Sequence, residues 1–303
     1  MQSLYLHIGF HKTATSFMQR SIFPKLKQVN YIKTGQIKKE LSKIRYRKKL
    51  SNLETENLMY YFKSFNNGKP MLMSFEGLSG TPLSAIKRKP QLGILKDLRR
   101  IFPESEFDVH IIFGIREQVA LLTSLYVQFI HMGGVIEPED FLKDRLVRNG
   151  AIDNFQYHQF IQEVYNLFGE DHTYIMIYEY FKENFSEEML KILNYMGESK
   201  VPKYKNVSRN KSYGTSQLAI AKKLNRLFKN RANPNGIMPY FHIPKFGKVS
   251  PRRLLQNDLS FRLHYKQFEL TEDLQNSLKN RYLEGNKILV DRYLPNLPIQ
   301  YYK

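Results

Sequence analysis

Short apolar runs alternate along the chain with longer segments in which apolar residues recur at helical spacing. Runs of the first kind predict β-strands, and the segments between them predict helices. The run VHIIFGI, residues 109–115, is close to continuously hydrophobic, as expected for a central strand that is buried on both faces. The alternation predicts an α/β fold of three layers, in which helices cover both faces of a central parallel β-sheet.

Five strands and eight helical segments follow from this pattern. The predicted strands are Leu4–Ile8, Val29–Ile32 (the weakest), Pro70–Phe75, Phe107–Ile115 and Thr173–Tyr178. The predicted helical segments are Thr13–Phe23, Gln36–Phe65, Ile94–Ile101, Gln118–His131, Asn154–Phe168, Phe181–Met196, an amphipathic helix with Ile220, Leu224, Leu227 and Phe228 on its apolar stripe, and Glu272–Tyr293. Because no long polar linker divides the chain, we expect one domain over residues 1–303, with a core of about residues 1–214 and a basic helical C-terminal extension of about residues 215–303.

Composition narrows the class of protein. The 303 residues are 42% hydrophobic, which is enough for a large core, and include no Cys. The absence of Cys excludes disulfides, thiolate metal sites and a Cys nucleophile. The first residues lack the pattern of a secretory signal, and no segment approaches the length of a membrane span. We therefore expect a soluble, cytoplasmic protein, with contact at the inner face of the membrane as an alternative.

The charge balance is strongly basic and uneven. Lys and Arg number 47 against 28 Asp and Glu, which gives a formal net charge of +19. Residues 201–268 hold fifteen Lys and Arg but only one acidic residue, Asp258, and a second basic cluster covers Lys33–Lys49. This excess predicts a polyanionic partner without saying which kind, and a solvated Lys-rich surface is the plainer interpretation.

The segment LYLHIGFHKTATSFMQ, residues 4–19, has the layout of a phosphate-binding loop. A predicted strand ends at Ile8, the loop carries Gly9 and Lys12, and a predicted helix follows. Backbone N–H groups, the helix dipole and the Lys ammonium then point at one place, which suits a phosphate. The alternative is an ordinary strand–loop–helix turn with a surface lysine.

This loop differs from that of metal-dependent nucleotide triphosphatases. The Walker pattern G-x-x-x-x-G-K-[ST] is absent, because no Gly adjoins Lys12. The central strand ends at Arg116, where a magnesium site would need a carboxylate. No spacing of His, Asp and Glu suggests a metal site. A metal-dependent kinase therefore fits poorly, and the sequence favours phosphate charge that is neutralised by Lys and Arg.

HIGFHKTATSFMQ resembles the 5′-phosphosulfate loop of sulfotransferases, whose usual core is K-[ST]-G-T-[ST]. The family's second signature is an Arg at the end of a central strand and a Ser eight residues later, and IREQVALLTSLY supplies Arg116 and Ser124 at that spacing. MSFEGLSG, YEYFKENFSEEMLKILNYMG and KNVSRNKSYG are similar to further motifs of the bacterial, carbohydrate-type branch. The resemblance spans most of residues 4–214.

The resemblance implies a P-loop NTPase-like sulfotransferase fold, 3′-phosphoadenosine 5′-phosphosulfate (PAPS) as sulfuryl donor, and no metal. Lys12 would stabilise charge on the bridging oxygen of the departing nucleotide. The implied donor-binding residues are Thr13, Ala14, Thr15 and Ser16 for the 5′-phosphate, Arg116 and Ser124 for the 3′-phosphate, Phe17 for the adenine, and Arg209, Lys211 and Ser212 in a closing loop.

Two loop residues depart from the family pattern. Ala14 stands where the family usually has Gly. A helical φ near −60° tolerates Ala, whereas a positive φ would strain the loop and weaken the assignment. Phe17 stands where cytosolic members often carry Trp. It can stack on the adenine, or it can be a core-facing helix residue.

Transfer to a hydroxyl group needs a general base. Glu76 is the first candidate, because it follows a buried-looking strand and should emerge at the carboxyl edge of the sheet, where ligands gather in such folds. A loop carboxylate paired with a nearby Lys is the plainer alternative. His11 is the second candidate, and His7, in the middle of a strand, is interpreted as a core histidine.

The expected acceptor is a hydroxyl of a carbohydrate in a glycan, glycolipid or polysaccharide, with an acidic acceptor favoured by the remaining positive charge. Two other functions stay open: a basic nucleic-acid-binding protein and a non-catalytic protein that binds acidic polysaccharide. Nucleic acid is the less expected partner, because no helix-turn-helix, zinc-finger or RNA-recognition signature is present. The sequence leaves the oligomeric state open.

Overall fold

The computed structural model describes residues 1–46, 49–84, 89–204, 213–230, 232–239, 242–243, 247–248, 266–297 and 299–302. Its main strands are β1 (Gln2–His7), β2 (Asn30–Ile32), β3 (Met71–Ser74), β4 (Phe107–Ile115) and β5 (Thr173–Ile177). They form one parallel sheet in the order β2-β3-β1-β4-β5. All five predicted strands are confirmed, and so is the predicted α/β fold with a central parallel sheet and flanking helices.

The helices that surround this sheet are short to medium in length. They are α1 (Thr15–Phe17), α2 (Thr34–Tyr46), α3 (Asn52–Lys63), α4 (Gln91–Ile101), α5 (Gln118–His131), α6 (Pro138–Asp140), α7 (Tyr157–Phe168), α8 (Tyr178–Glu183), α9 (Phe185–Tyr195), α10 (Thr215–Leu227), α11 (Glu272–Ile288) and α12 (Ile299–Tyr302). Single turns of π-helix cover Met18–Ile22, Phe141–Val147 and Leu289–Tyr293, and turns of 3₁₀-helix cover Phe23–Lys25, Glu76–Ser79 and Ile152–Phe155. A small antiparallel pair consists of β6 (His242–Ile243) and β7 (Gly247–Lys248).

One predicted helical stretch, Gln36–Phe65, is two helices in the structure. Ser51 caps the start of α3: its hydroxyl accepts from the N–H of Glu54 at 3.2 Å, and the Glu54 carboxylate accepts from the N–H of Ser51 at 2.9 Å. This reciprocal capping box satisfies two backbone groups that would otherwise lack partners and so begins a new helix. The S-x-x-E spacing in the sequence is the signal for it.

The apolar stripe predicted for α10 is confirmed only in part. Phe228 is buried and Leu224 packs against the core, but Ile220 and Leu227 are more than 40% exposed. The buried positions within the helix are Leu218, Ala221 and Asn225. The Asn225 amide donates to the carbonyls of Ile130 and Gly134 at 2.8 and 2.9 Å. A polar side chain thus anchors the buried face, and a count of apolar residues alone misplaces that face.

Alternate residues of the strands belong to two hydrophobic clusters, one on each face of the sheet. The larger contains Leu4 and Leu6 of β1, together with residues from the C-terminal helices such as Leu218 and Leu278. The smaller contains Tyr5 and helix residues from α9 and the turns after α1. Among the described residues, no helix combines the length and apolarity needed to cross a bilayer.

Candidate active site

The carboxyl ends of β1, β3 and β4 bring three of the sequence motifs to one edge of the sheet. β1 pairs in parallel with both other strands, so the loop after His7, the turn Glu76–Ser79 and Arg116 all emerge at that edge. The Ser79 hydroxyl donates to the carbonyl of Gly9 and ties the turn to the loop. Ligands of open α/β sheets bind at this edge.

The loop after β1 closes tightly on itself. Gly9 has a φ of +38°, and a Cβ at this position would lie 2.5 Å from Thr15 Oγ1, so a side chain would clash there. Thr13 is fully buried, and its hydroxyl donates to the carbonyl of Phe10 at 2.6 Å. A Cβ on Gly114 of β4 would lie 2.9 Å from Thr13 Cβ, so the glycine lets the loop approach the strand.

Thr15 offers a buried hydroxyl that is not used within the described part of the chain. Its side chain is 3% exposed, and Oγ1 has no hydrogen-bond partner there. An unsatisfied buried hydroxyl is costly, and such groups in native proteins call for an explanation such as a bound ligand. Thr15 is also one of the residues that the resemblance implies for the 5′-phosphate, so the loop fits an anionic group.

Backbone strain is concentrated beside this hydroxyl. Lys12 and Ala14 have φ values of +67° and +63°. Of the two alternatives left open for Ala14, the structure therefore shows the strained one, which counts against the assignment of this loop. The loop nevertheless still opens a helix, because the N–H groups of Phe17 and Met18 donate to the Ala14 carbonyl at 2.9 and 3.1 Å. Ala occupies a conformation that costs an L-residue about 1–2 kcal/mol relative to the right-handed one.

Arg116 is held against the loop by several contacts. Its Nη1 donates to the carbonyl of Lys12 at 3.2 Å. The Tyr157 hydroxyl donates to the Arg116 carbonyl at 2.7 Å, and the guanidinium carbon lies 4.7 Å from the centre of the Tyr178 ring. The first of these contacts places the Arg116 guanidinium against the backbone of the loop at Lys12, although the two residues are 104 positions apart in the sequence.

Arg116 and Ser124 line one cavity of about 220 Å³ between the start of α5 and the segment before α11. Their shared lining agrees with the resemblance, which pairs them at a spacing of eight residues, just over two helical turns. Glu117, which sequence reasoning missed, also borders the cavity. Its carboxylate caps α5, because it accepts from the N–H groups of Val119 and Ala120 at 2.7 and 2.6 Å. Burial raises the pKa of Glu117, and these hydrogen bonds oppose that effect. An acidic residue just before a predicted helix is the signal for such a cap.

Both candidate bases lie at the mouth of the loop, side by side. His11 Nδ1 is 3.9 Å from Glu76 Oε1. His11 Nε2 lies 3.0 Å from the Gly80 carbonyl. Because a carbonyl only accepts hydrogen bonds, Nε2 carries the proton in the neutral ring, and Nδ1 is left as the acceptor that faces Glu76. The side chain of Glu76 is 40% exposed, so this pair is open to an incoming molecule.

His7 is the core histidine that the sequence suggested. It is 1% exposed, and its Nδ1 lies 2.7 Å from the Ser74 hydroxyl. Burial lowers the pKa of His7 to about 4, so the ring is neutral at physiological pH.

Comparison with known proteins bears on the fold. No family model and no curated protein matches the chain. The crystal structure of a sulfotransferase from Alicyclobacillus acidocaldarius aligns over 100% of both chains with a TM-score of 0.60 at 10% identity. The chain therefore has the fold of a sulfotransferase. Mouse sulfotransferase SULT7A1 complexed with PAP aligns over 100% of this chain and 90% of its own at 11% identity, but its TM-score of 0.43 is too low to support an argument.

The likeness in fold does not establish the roles of the remaining predicted site residues. Phe17 packs edge-on against Phe185 and Tyr204, both 5.5 Å away between ring centres, and lies in the smaller hydrophobic cluster. This packing agrees with the core-facing interpretation, while stacking on the adenine stays a prediction. Ser16 is exposed at the start of α1. The predicted closing-loop residues, Arg209, Lys211 and Ser212, lie outside the described residues.

Proposed function

We propose that this protein is a sulfotransferase that moves a sulfuryl group from PAPS to a hydroxyl group of a carbohydrate. The observation that carries the proposal is the contact of the Arg116 guanidinium with the Lys12 carbonyl, in the loop that also holds the buried Thr15 hydroxyl, which has no partner among the described residues. Two cations and an available donor at the carboxyl edge of a parallel sheet suit a small molecule with several phosphate or sulfate groups.

The chain would bind the two phosphate groups of the donor at two places. The hydroxyl of Thr15 and the backbone N–H groups of residues 13–16 would hold the 5′-phosphate, with Lys12 beside it. Arg116 and Ser124, which share the 220 Å³ cavity, would hold the 3′-phosphate. PAPS supplies the activated sulfuryl group when it is bound. The protein's contribution is then to position the donor and to neutralise negative charge with fixed cations.

The acceptor hydroxyl needs a group that takes its proton. Glu76 remains our first candidate, because its exposed carboxylate stands at the mouth of the loop. His11 remains the second candidate: the bond from Nε2 to Gly80 fixes the ring and turns Nδ1 toward Glu76. A small movement of the Glu76 side chain would bring its carboxylate within hydrogen-bond distance of His11 Nδ1, so that a proton could pass between the two groups.

A cation on α2 supports an acidic acceptor. The guanidinium of Arg45 lies 5.0 Å from the centre of the Phe75 ring and borders Gly77, next to Glu76. Its Nε is buried and has no partner among the described residues. An arginine that is stacked on an aromatic ring and keeps a free donor suits a carboxylate or sulfate group. The Lys33–Lys49 cluster, of which Arg45 is part, extends the same charge along α2.

Nucleotide binding gives the first test. We expect 3′,5′-adenosine bisphosphate to raise the melting temperature without magnesium, and ATP with magnesium to have little effect. Arg116→Ala should lose the response to the bisphosphate, whereas Lys182→Ala, which removes an exposed cation on α8, should retain it. A wild-type protein that does not respond to the bisphosphate would refute the proposal.

Transfer of labelled sulfate from PAPS to a panel of neutral and acidic polysaccharides tests the acceptor. Glu76→Gln should bind the bisphosphate normally but transfer no sulfate, and full activity in this variant would remove Glu76 from the mechanism. Arg45→Gln should raise the KM for acidic acceptors and leave kcat nearly unchanged. Lys39→Gln, an exposed cation on the same helix, is the matched control.

A further inference from the structure

The opposite edge of the sheet holds a cluster of three metal-ligand side chains. Asp108 and His110 are two positions apart near the start of β4, so they share one face of the sheet. His172 comes directly before β5, and the pairing of Ile111 with Thr173 places it opposite His110. Sequence spacing does not reveal this cluster, because His172 is 62 residues away from His110 and only the pairing of β4 with β5 brings them together.

The ligand atoms already point at one another. His110 Nε2 lies 3.1 Å from Asp108 Oδ2, and His172 Nε2 lies 3.0 Å from Asp108 Oδ1. All three ligand atoms lie within 4.8 Å of one another. In a tetrahedral site with bonds of about 2.0–2.2 Å to nitrogen and oxygen, neighbouring ligand atoms are about 3.3 Å apart. Each His nitrogen therefore lies about as far from an oxygen of the Asp108 carboxylate as neighbouring ligand atoms do in a formed site, and a small adjustment brings the three ligand atoms, already within 4.8 Å, around one ion.

A neighbouring side chain fixes one of the ligands. The hydroxyl of Tyr195, on α9, lies 3.1 Å from Nδ1 of His110. Metal-bound histidines commonly use their second nitrogen for such a bond, which sets the ring orientation and the tautomer. The ring of Tyr5 supports His110 from the adjacent strand, with the ring centres 4.9 Å apart.

We propose that Asp108, His110 and His172 bind a divalent transition-metal ion of the zinc type, with a fourth position open to water. Two imidazoles and one carboxylate are ligands that Zn²⁺ prefers, and the absence of Cys from the chain leaves no thiolate site to compete. The side chains are 18–43% exposed, so an ion can enter from solvent.

This site is remote from the candidate active site. Asp108 and Arg116 stand at opposite ends of β4, roughly 26 Å apart at about 3.3 Å per residue. Bound metal would join the start of β4 to the segment before β5. Its expected effect is therefore on the stability of the sheet, and the proposal is independent of sulfuryl transfer.

The test uses the full chain without a histidine tag, stripped of metal by a chelator. Calorimetric titration should give one Zn²⁺ per chain at this site, and saturating Zn²⁺ should raise the melting temperature. His172→Ala, at the most exposed ligand, should weaken the affinity at least tenfold and abolish the thermal shift. Asp171→Asn removes the exposed carboxylate next to it and should change neither.

A second readout separates loss of a ligand from loss of fold. Co²⁺ should give the visible absorption bands of a tetrahedral site, and Tyr195→Phe should keep these bands but lower the affinity about tenfold. The proposal is overturned if the wild type binds neither ion, or if His172→Ala and Asp108→Asn bind Zn²⁺ as tightly as the wild type. The three side chains would then be an ion-pair cluster only.

Discussion

The carboxyl and amino edges of the same sheet satisfy their polar groups in opposite ways. At the carboxyl edge, Arg116 reaches the carbonyl of Lys12, and the buried hydroxyl of Thr15 has no partner in the described part of the chain. At the amino edge, both oxygens of the Asp108 carboxylate lie within 3.1 Å of a histidine nitrogen. The first edge leaves a buried hydroxyl without a partner among the described residues, whereas the polar groups of the second lie in contact with one another.

The two edges also differ in the pKa shift of a partly buried carboxyl and in backbone strain. Burial raises the pKa of Asp108, but hydrogen bonds and attraction from the two neighbouring histidines outweigh that effect and lower it. The amino edge is thus stabilised from within. The carboxyl edge instead carries two non-glycine residues at positive φ, Lys12 and Ala14. The strain lies in the same loop as the Thr15 hydroxyl, which has no partner among the described residues.

Removing the loop cation should have the largest effect on the carboxyl edge. We expect Lys12→Met to lower sulfuryl transfer from PAPS about 10²–10³-fold, because a fixed donor to developing negative charge is lost. The rate of release of 3′,5′-adenosine bisphosphate with a saturating acceptor measures this. Lys182→Met, on the exposed side of α8, should stay within twofold of the wild type. Activity within tenfold of the wild type for Lys12→Met would contradict the proposed role.

Acid should destabilise the protein through His7 at the carboxyl edge. Its pKa is about 4 in the folded protein and about 6.5 when unfolded, so the unfolded state binds the proton first as pH falls. The contribution to stability is complete above pH 6.5, and about 3 kcal/mol of it is lost by pH 4. Urea unfolding at pH 7.5 and pH 4 measures the change. His7→Asn, which retains a polar group near Ser74, should lose about 3 kcal/mol less over that interval, and an equal loss in both proteins would exclude His7 as the cause.

The unused hydroxyl of Thr15 can be separated from the structural one of Thr13. Thr15→Val keeps the shape and should leave the free energy of unfolding unchanged or slightly higher, since the hydroxyl has no partner in the described residues. Binding of 3′,5′-adenosine bisphosphate should weaken about 10–100-fold, because a hydrogen bond to a charged group is lost. Thr13→Val should instead cost about 1 kcal/mol of stability, because its hydroxyl bonds to the Phe10 carbonyl. Unchanged nucleotide affinity in Thr15→Val would exclude Thr15 from the donor site.

The sequence predicted the features that depend on nearby residues. Apolar runs located all five strands, and the ends of α5 agree with the prediction because Glu117 caps its start and a glycine follows its end. The motif around Lys12 and the strand-end Arg116 were also visible, since parallel strands must deliver their carboxyl ends to one edge.

Features that depend on tertiary contact could not be predicted. The buried face of α10 is set by the hydrogen bonds of Asn225 to Ile130 and Gly134, which no local pattern records. The cluster at the amino edge exists only because β4 pairs with β5. The conformation of Ala14 was undecidable, because Ala is compatible with a helical start and the sequence does not show the closure imposed by Gly9.

Ala14→Gly should make the smallest change and tests whether the strain of the loop is needed. Glycine adopts a φ of +63° without steric cost, so the strain of Ala14 is relieved. Glycine also has more conformational freedom than Ala in the unfolded chain, and this lowers the stability by about 0.4–1 kcal/mol. We therefore expect a net stabilisation below about 1 kcal/mol, seen as a small rise in melting temperature. Affinity for 3′,5′-adenosine bisphosphate should stay within twofold, since the backbone N–H groups keep their directions. Gly93→Ala, at an unstrained position inside α4, should stabilise the protein by a similar amount, because Ala loses less conformational freedom than Gly when the helix forms. A large loss of nucleotide affinity in Ala14→Gly would show that the Ala side chain itself holds the loop in its binding geometry.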